Sequence, residues 1–180
     1  MPSPLSVTMQ QQEQCNWCWA AVAASLSSAM PPGNPAPMSQ CQIASSLLCS
    51  ADPNCCCDDG HVRGGCPDSP CNKPELIENA LDKIGHYGGS LGELPDQATV
   101  TRSINDRHPI VGEIHWNDDQ SQNHYVLIVD YGTDSSGEFV VWIADPSDPD
   151  GTVPQSYSLD ALKAGGYRDA GPWIGSYFTA

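Results

Sequence analysis

The stretch that decides the fold is Gln12-Glu13-Gln14-Cys15-Asn16-Trp17-Cys18-Trp19, which runs directly into Ala20-Ala21-Val22-Ala23-Ala24. The apolar segment continues at helical spacing to Met30 and stops at Pro31-Pro32, so it predicts a buried helix that begins at Cys18. A cysteine at a helix start benefits from unpaired N–H groups that favour a thiolate, and the preceding loop leaves its sulfur reachable. On position alone, Cys18 is equally well one half of a structural disulfide.

The length and charge of the chain limit its class. Its 180 residues are enough for one domain with a real core, or for two small lobes that share a cleft. No run of eighteen apolar residues is present, so we expect no membrane insertion. The net charge of −15 argues against nucleic acid and anionic membranes as partners, fits a soluble secreted protein, and is compatible with basic substrates. The N-terminus lacks the features of a signal peptide, which predicts either a mature form with an added methionine or another export route.

Nine cysteines, all in the N-terminal half, indicate a disulfide framework and an oxidising compartment. If Cys18 is free, an even set remains: Cys15, Cys41, Cys49, Cys55, Cys56, Cys57, Cys66 and Cys71. The rival interpretation is a zinc site with the loosely ligand-like set Cys57, His61, Cys66 and Cys71. The three consecutive cysteines are crowded for a tetrahedral site, and no Cys-x-x-Cys pair lies within 55–71. We therefore expect disulfides and no metal.

Hydrophobic periodicity changes near residue 92. Helices are predicted before it, at 18–30, 40–49 (opened by the capping box Ser39-Gln40-Cys41-Gln42) and 72–85. After it, short helices at 97–106 and 158–163 accompany strands at 110–116, 125–131, 139–144 and 173–178. Helices first and antiparallel strands second predict an α+β protein. We expect a single domain over 1–180, with a helical, disulfide-rich lobe at about 1–92 and a β-rich lobe at about 93–180.

Four residues of the opening stretch, Gln12, Cys15, Cys18 and Trp19, form the pattern Gln-x-x-Cys-x-x-Cys-Trp, which resembles the active-site signature of papain-like cysteine proteases. The resemblance implies that Cys18 is the nucleophile and that Gln12 donates its side-chain amide to the oxyanion. It also implies that Cys15 is disulfide-bonded and that Trp19 borders the substrate. The fold it implies is the papain-like pair of lobes with the active site in the cleft between them.

The run Gly64-Gly65-Cys66-Pro67 is similar to the Gly-Gly segment of that family, whose backbone pairs with the substrate chain. An extended peptide approaches closely only where no Cβ intrudes, so Gly64 and Gly65 are candidate substrate-binding residues. The alternative is a tight turn inside a cysteine-rich loop. The family usually has a cysteine shortly before these glycines, so the resemblance implies that one of the cysteines at 55–57 fills that role and pairs with Cys15.

Two histidines of the β-rich part could serve Cys18. His124 opens the run His-Tyr-Val-Leu-Ile-Val-Asp-Tyr-Gly, whereas His115 lies near the end of an earlier strand. The family's catalytic histidine begins a strand of the first kind, so the resemblance selects His124. The next strand ends in Asp145-Pro146, and Asp-Pro is common there in short bacterial papain-like peptidases, such as effector proteases of plant pathogens and bacteriocin-processing peptidases. An adjacent antiparallel strand would bring Asp145 level with His124; otherwise Asp145 only ends a strand.

The resemblance therefore implies a secreted bacterial thiol protease, a hydrolase that cuts peptide bonds through Cys18, His124, Asp145 and Gln12 with no cofactor. Its expected partner is a peptide or protein substrate, and we expect a monomer. Two other functions stay open. One is deamidation or transamidation of a glutamine through the same thioester, and the other is a non-enzymatic, disulfide-rich binding module on an inactive protease fold.

Overall fold

The computed structural model describes residues 5, 7–30, 36–49, 52, 54–57, 70–116, 119–148, 154–168 and 171–180. The helices in these ranges are α1 (Cys18–Ala29), α2 (Gln40–Leu48), α3 (Ile77–Lys83), α4 (Gln97–Asn105) and α5 (Leu159–Lys163). The strands are β1 (Tyr87–Leu91), β2 (Ile110–Trp116), β3 (Asp119–Thr133), β4 (Phe139–Ala144), β5 (Gln155–Ser158) and β6 (Trp173–Thr179). Helices packed on an antiparallel sheet confirm the α+β prediction. No helix among the described residues is long and apolar enough to cross a membrane.

The strands form one antiparallel sheet in the order β1-β6-β2-β3-β4-β5. Its two edge strands, β1 and β5, were not predicted from the sequence. β1 contains two glycines and β5 is only four residues long, so neither carries the alternating apolar pattern of the inner strands. Because β1 pairs with β6, the sheet takes in a strand that precedes residue 92, and the division into two lobes at that point stays a prediction.

The first helix begins at Cys18, as predicted, and is buried from Cys18 to Ser27. Its surface is rich in alanine, which lets α2, α3 and β3 approach it closely. Burial of each larger side chain, such as Val22 or Leu26, stabilises the fold by about 1.5–3 kcal/mol. The helix that carries the candidate nucleophile is therefore among the least movable parts of the molecule.

Alternate residues of β3 face two separate groups of buried side chains. Tyr125, Leu127 and Val129 pack with α1, α2 and α3. Val126 and Ile128 pack on the opposite face of the sheet, in a group that includes buried residues of α4 and α5. From Tyr125 to Val129, the side chains of β3 that border α1 are thus the odd-numbered ones.

Three disulfides lie within the described residues, and they join Cys41 to Cys57, Cys49 to Cys55, and Cys56 to Cys71. Cys15 is disulfide-bonded too, and Cys18 is a free thiol, whereas Cys66 lies outside the described residues. The implied pairing of Cys15 with Cys55, Cys56 or Cys57 is wrong, because each of these three is bonded elsewhere.

The physical reason is the position of the triplet against α2. The backbone N–H of Cys56 donates to Ser45 Oγ of that helix at 2.9 Å. From there its neighbours reach the two ends of α2, at Cys41 and Cys49. Of the alternative zinc set, Cys57 and Cys71 are therefore in disulfides, and His61 lies outside the described residues.

Candidate active site

Cys18 is the first residue of α1, where the helix leaves its first N–H groups unpaired. Its side chain is buried at 6% exposure, and Sγ lies 3.9 Å from the carbonyl oxygen of Asn123. The thiol is also among the groups that raise the pKa of His124, so the sulfur and the imidazole are neighbours. A sulfur at the positive end of a helix, in contact with an imidazole, is in the setting that favours a thiolate.

The loop before α1 is held by the backbone of residues 71–73. The indole nitrogen of Trp17 donates to the carbonyl oxygen of Cys71 at 2.7 Å, and that of Trp19 donates to Lys73 at 3.1 Å. Cys71 is itself cross-linked to Cys56. These bonds keep 72–76 out of helical structure, so α3 starts at Ile77 rather than at the predicted residue 72.

His124 and Asp145 come together through the pairing of β3 with β4. Leu127 is level with Ala144, so the strand ends bring His124 Nε2 to 2.8 Å from Asp145 Oδ1. Both side chains are buried, at 4% and 3% exposure. His115 is level with Asn123, and its side chain forms no hydrogen bond to Cys18 or Asp145 among the described residues. The structure therefore brings His124, and not His115, to Asp145.

The charge of His124 is controlled by its two partners. Burial alone lowers the pKa of an imidazole, but the hydrogen bonds to Asp145 and Cys18, together with their negative charges, outweigh it and raise the pKa to about 9. Because Nε2 faces the carboxylate, Nδ1 is the nitrogen left for the thiol. The ring is therefore poised as an imidazolium at neutral pH.

Both carboxylate oxygens of Asp145 accept hydrogen bonds. Oδ1 also accepts from the Ser147 N–H and hydroxyl, both at 2.7 Å, and Oδ2 accepts from the Tyr167 hydroxyl at 2.5 Å. The guanidinium of Arg168 lies 3.4 Å from Oδ2. Burial acts to raise the pKa of this carboxyl, but the bonds from His124, Tyr167 and Ser147 outweigh it and hold the pKa well below its usual range. Asp145 is thus a fixed negative charge.

The turn that carries Tyr167 and Arg168 has an unusual backbone. Gly165 has a φ of +80°, and a Cβ on Gly166 would lie 2.8 Å from the carbonyl oxygen of Ala161. Arg168 itself is left-handed, with a φ of 48°. Neither Tyr167 nor Arg168 was predicted from the sequence, because only this turn, and no motif, brings them to Asp145. The one available signal was the pair of adjacent glycines before an aromatic residue.

Gln12 lies beside the same corner of the molecule. Its N–H donates to the carbonyl oxygen of Pro146 at 2.9 Å, which ties the N-terminal loop to the end of β4. Its side-chain Nε2 donates to the carbonyl oxygens of Cys15 at 2.7 Å and Gln14 at 3.2 Å. Its Oε1 is buried and has no hydrogen-bond partner among the described residues. In this conformation, the amide of Gln12 is engaged within its own loop.

A cleft of about 460 Å³ opens beside Cys18. Its described walls are Asn16, Cys18, Trp19, Pro74, Glu75, Leu76, Asn123 and Tyr125. Trp19 borders this cleft but is fully buried, so its role as a substrate-binding residue stays a prediction. Gly64 and Gly65 lie outside the described residues. The cleft has room for a peptide side chain next to the sulfur.

Comparisons with known proteins identify the family of the chain and a similar fold. The sequence profile of the Peptidase_C39 like family matches residues 4–171. Among the solved structures that resemble the chain is a protein from Bacillus anthracis described as a candidate C39-like peptidase, with a TM-score of 0.54 and 14% identity over 97% of each chain. At that identity the likeness concerns the fold alone. No curated protein sequence matches the chain.

Proposed function

Given that the chain belongs to the Peptidase_C39 like family, and is thereby a cysteine peptidase, we propose that it hydrolyses peptide bonds with Cys18 as nucleophile, His124 as general acid and base, and Asp145 as the group that orients His124. The observation that carries this proposal is the order of three groups: the free thiol at the start of α1, the imidazole whose pKa it raises, and the buried carboxylate 2.8 Å from that imidazole. This order supports the assignment, because the chemistry needs a nucleophile, a base and an orienting group.

The reaction begins with the Cys18 thiolate beside the His124 imidazolium. The sulfur attacks the carbonyl carbon of the scissile bond, and the C–N bond then breaks as His124 donates its Nδ1 proton to the leaving amine. Neutral His124 takes a proton from water, whose oxygen attacks the thioester, releasing the acid product and the sulfur. Asp145 keeps Nε2 protonated and the ring in one orientation throughout.

The oxyanion of each tetrahedral intermediate needs nearby donors. We assign this role to the backbone N–H of Cys18, which as the first residue of α1 has no partner within the helix, and to the side-chain amide of Gln12. Gln12 would exchange the longer of its two loop hydrogen bonds, the one to Gln14 at 3.2 Å, for the oxyanion.

The setting of the enzyme is part of the proposal. Disulfides within the described residues support an extracellular location, and the net charge of −15 fits a soluble secreted protein. Bacterial origin rests on the resemblance to short bacterial papain-like peptidases. We propose a monomer with one catalytic domain, in which a helical lobe up to about residue 92 and a β-rich lobe meet at the cleft. Its partner is a peptide or protein.

The test is mass spectrometry of a peptide library treated with the wild-type protein and with Cys18→Ala. We expect fragments from cuts in the peptide backbone with the wild type and none with the variant. Shifts of one mass unit on glutamine-containing peptides, without fragments, would instead identify a deamidase. An unchanged library would leave the binding module as the function.

A further inference from the structure

The cleft beside Cys18 has two asparagines in its wall, and both have their amide orientation fixed. The Nδ2 of Asn16 donates to the backbone carbonyl of Asn72 at 3.0 Å. The Nδ2 of Asn123 donates to the carboxylate of Glu113. A carbonyl and a carboxylate can only accept, so the nitrogen of each amide must face these partners. Each Oδ1 is therefore on the side of the amide away from that partner, and no donor among the described residues bonds to it.

The anchor of Asn123 is a buried carboxylate that the catalytic machinery does not use. Glu113 is 7% exposed, and besides Asn123 it accepts from the hydroxyls of Tyr125 at 3.3 Å and Tyr177 at 2.5 Å. Space for it exists because the residue opposite is Gly175, where a Cβ would lie 3.0 Å from Oε2. No lysine or arginine forms an ion pair with Glu113 in the part of the chain that the structure describes.

The two single donors among the wall residues are also occupied internally. The hydroxyl of Tyr125 donates to Glu113, and burial together with that negative charge raises the pKa of Tyr125, so the hydroxyl keeps its proton. The indole nitrogen of Trp19 donates to the carbonyl oxygen of Lys73. Neither group has a hydrogen left to offer a ligand.

The rim of the cleft combines an apolar surface with one more acceptor. Leu76 is 56% exposed, unusually open for a leucine, and it lies next to Pro74. Between them, Glu75 accepts from the Leu76 N–H at 2.8 Å and from Asn79 at 2.9 Å, both on Oε1. Among the described wall residues, none is a lysine, arginine or histidine. A cleft with such walls binds a long aliphatic stem that ends in a hydrogen-bond donor.

We propose that this cleft selects a lysine or arginine side chain of the substrate, next to the bond that Cys18 attacks. The stem packs on Leu76 and Pro74, and the cationic head meets the amide oxygens of Asn16 and Asn123 and the carboxylate of Glu75. Glu113 supports the site in two ways. It accepts from the amide nitrogen of Asn123, which fixes the orientation of that amide, and it adds negative charge. The inference rests on the proposed peptidase function and names its substrate class.

The test uses fluorogenic peptides that differ at one residue, Lys, Met or Glu, placed in turn at the positions flanking the cut. Met matches the length of Lys without its charge or its donors. At one position we expect the wild-type kcat/KM for the Lys peptide to exceed that for the Met peptide about tenfold, and that for the Glu peptide by more. The preference should shrink at high salt, because screening weakens interactions between partly exposed charges.

Glu75→Gln is the decisive variant, since a half-exposed side chain can lose its charge without unfolding the protein. It should lower the Lys-to-Met ratio about threefold to tenfold, because kcat/KM for the Lys peptide falls more than kcat/KM for the Met peptide. Glu138→Gln makes the same charge change in the exposed turn between β3 and β4, at the far end of β3 from His124, and should leave the ratio unchanged.

The outcomes separate this inference from the function on which it rests. If peptides are cut but Met or Glu is accepted as well as Lys at every position, the inference is wrong and the peptidase function stands. An unchanged Lys-to-Met ratio in Glu75→Gln also contradicts it. If no peptide is cut while iodoacetamide still labels Cys18, the proposed function fails and takes the inference with it.

Discussion

The two sides of the candidate active site are built by different means. The side that carries Cys18 consists of a loop and a helix start, and it is held by long-range side-chain bonds to residues 71–73 and by disulfides around α2. The side that carries His124 and Asp145 consists of strand ends, and it is held by the register between β3 and β4.

The two sides of the site are therefore positioned in different ways, one by cross-links and the other by the pairing of two strands. A strand pair fixes its side chains through a ladder of backbone bonds, so the histidine and aspartate need no cross-link. A loop has no ladder, and its ordering costs about 1–2 kcal/mol of backbone entropy per residue, so cross-links that restrict the unfolded chain are useful there. Changes on the two sides should therefore have distinguishable effects on activity and stability.

The largest loss of activity is expected from a change on the side that carries His124 and Asp145. His124→Ala removes both the partner of the thiol and the proton donor, and kcat/KM should fall about a thousandfold or more. His115→Ala is the matched change one strand away and should leave kcat/KM within about tenfold of the wild type, since the His115 ring forms no hydrogen bond to Cys18, His124 or Asp145 among the described residues. The measurement is kcat/KM of both variants on one peptide. If His115→Ala loses activity and His124→Ala does not, the histidine of the triad has been assigned wrongly.

Asp145 should have the next largest effect. Asp145→Asn keeps an oxygen for the Nε2–H of His124, and its new amide nitrogen would face the Tyr167 hydroxyl, which can accept; Asp145→Ala keeps neither. We expect kcat/KM to fall about tenfold for Asn and about a hundredfold for Ala. Equal activity of the wild type and Asp145→Ala would mean that this aspartate only ends a strand.

The pH profile of the same variants sharpens that test. His124 must be protonated to donate to the leaving amine, and its pKa of about 9 predicts that wild-type kcat/KM declines as the pH rises through about 9. The Asp145 carboxylate raises that pKa, so both variants should decline at a lower pH. If the alkaline limb does not move in either variant, the Asp145 carboxylate does not raise the pKa of His124.

Two disulfides on the side that carries Cys18 close loops of similar length, so the effects of removing each one can be compared. Cys56–Cys71 and Cys41–Cys57 close loops of 15 and 16 residues, so replacing either pair by serines should lower stability by a similar amount, about 3 kcal/mol. Only the first includes the residue that accepts from Trp17. At a temperature where both variants are folded, we expect kcat/KM to fall several-fold more for the Cys56/Cys71 variant. Equal losses of kcat/KM in the two variants would show that the Cys56–Cys71 disulfide does not position Cys18.

The smallest effect is expected from the hydroxyl of Tyr167. Tyr167→Phe removes one bond to Asp145 and concentrates the carboxylate charge on His124, so kcat/KM should fall about threefold to tenfold while the alkaline limb moves up. Tyr157→Phe is the control, because that ring packs 5.1 Å from Tyr167 but its hydroxyl bonds Gln155. A loss of activity without movement of the limb would indicate a packing role only.

Local patterns in the sequence predicted much of the structure. The start of α1 follows from the change of a polar loop into an apolar run, and the capping box at Ser39 and Gln42 is present at α2. The inner strands follow from runs of β-branched residues. Their adjacency, which brings His124 to Asp145, was anticipated from the family resemblance, because the orienting residue was expected on the next strand.

Features set by distant contacts could not be predicted in this way. The first turn of the expected third helix is replaced by extended chain whose carbonyls accept from Trp17 and Trp19. Tyr167 reaches Asp145 only because a glycine turn directs it there, and Glu113 is buried because three donors on two other strands surround it. None of these depends on spacing along the chain.

The central claim, that Cys18 is the nucleophile paired with His124, is tested most directly by titration with iodoacetamide at pH 6. We predict that peptidase activity falls linearly with uptake and reaches zero at one group per molecule, which mass spectrometry places on Cys18. Under the same conditions His124→Ala should take up label about a hundredfold more slowly, since its thiol lacks the imidazolium. Activity that survives alkylation of Cys18, or a variant that is labelled as fast as the wild type, would contradict the account.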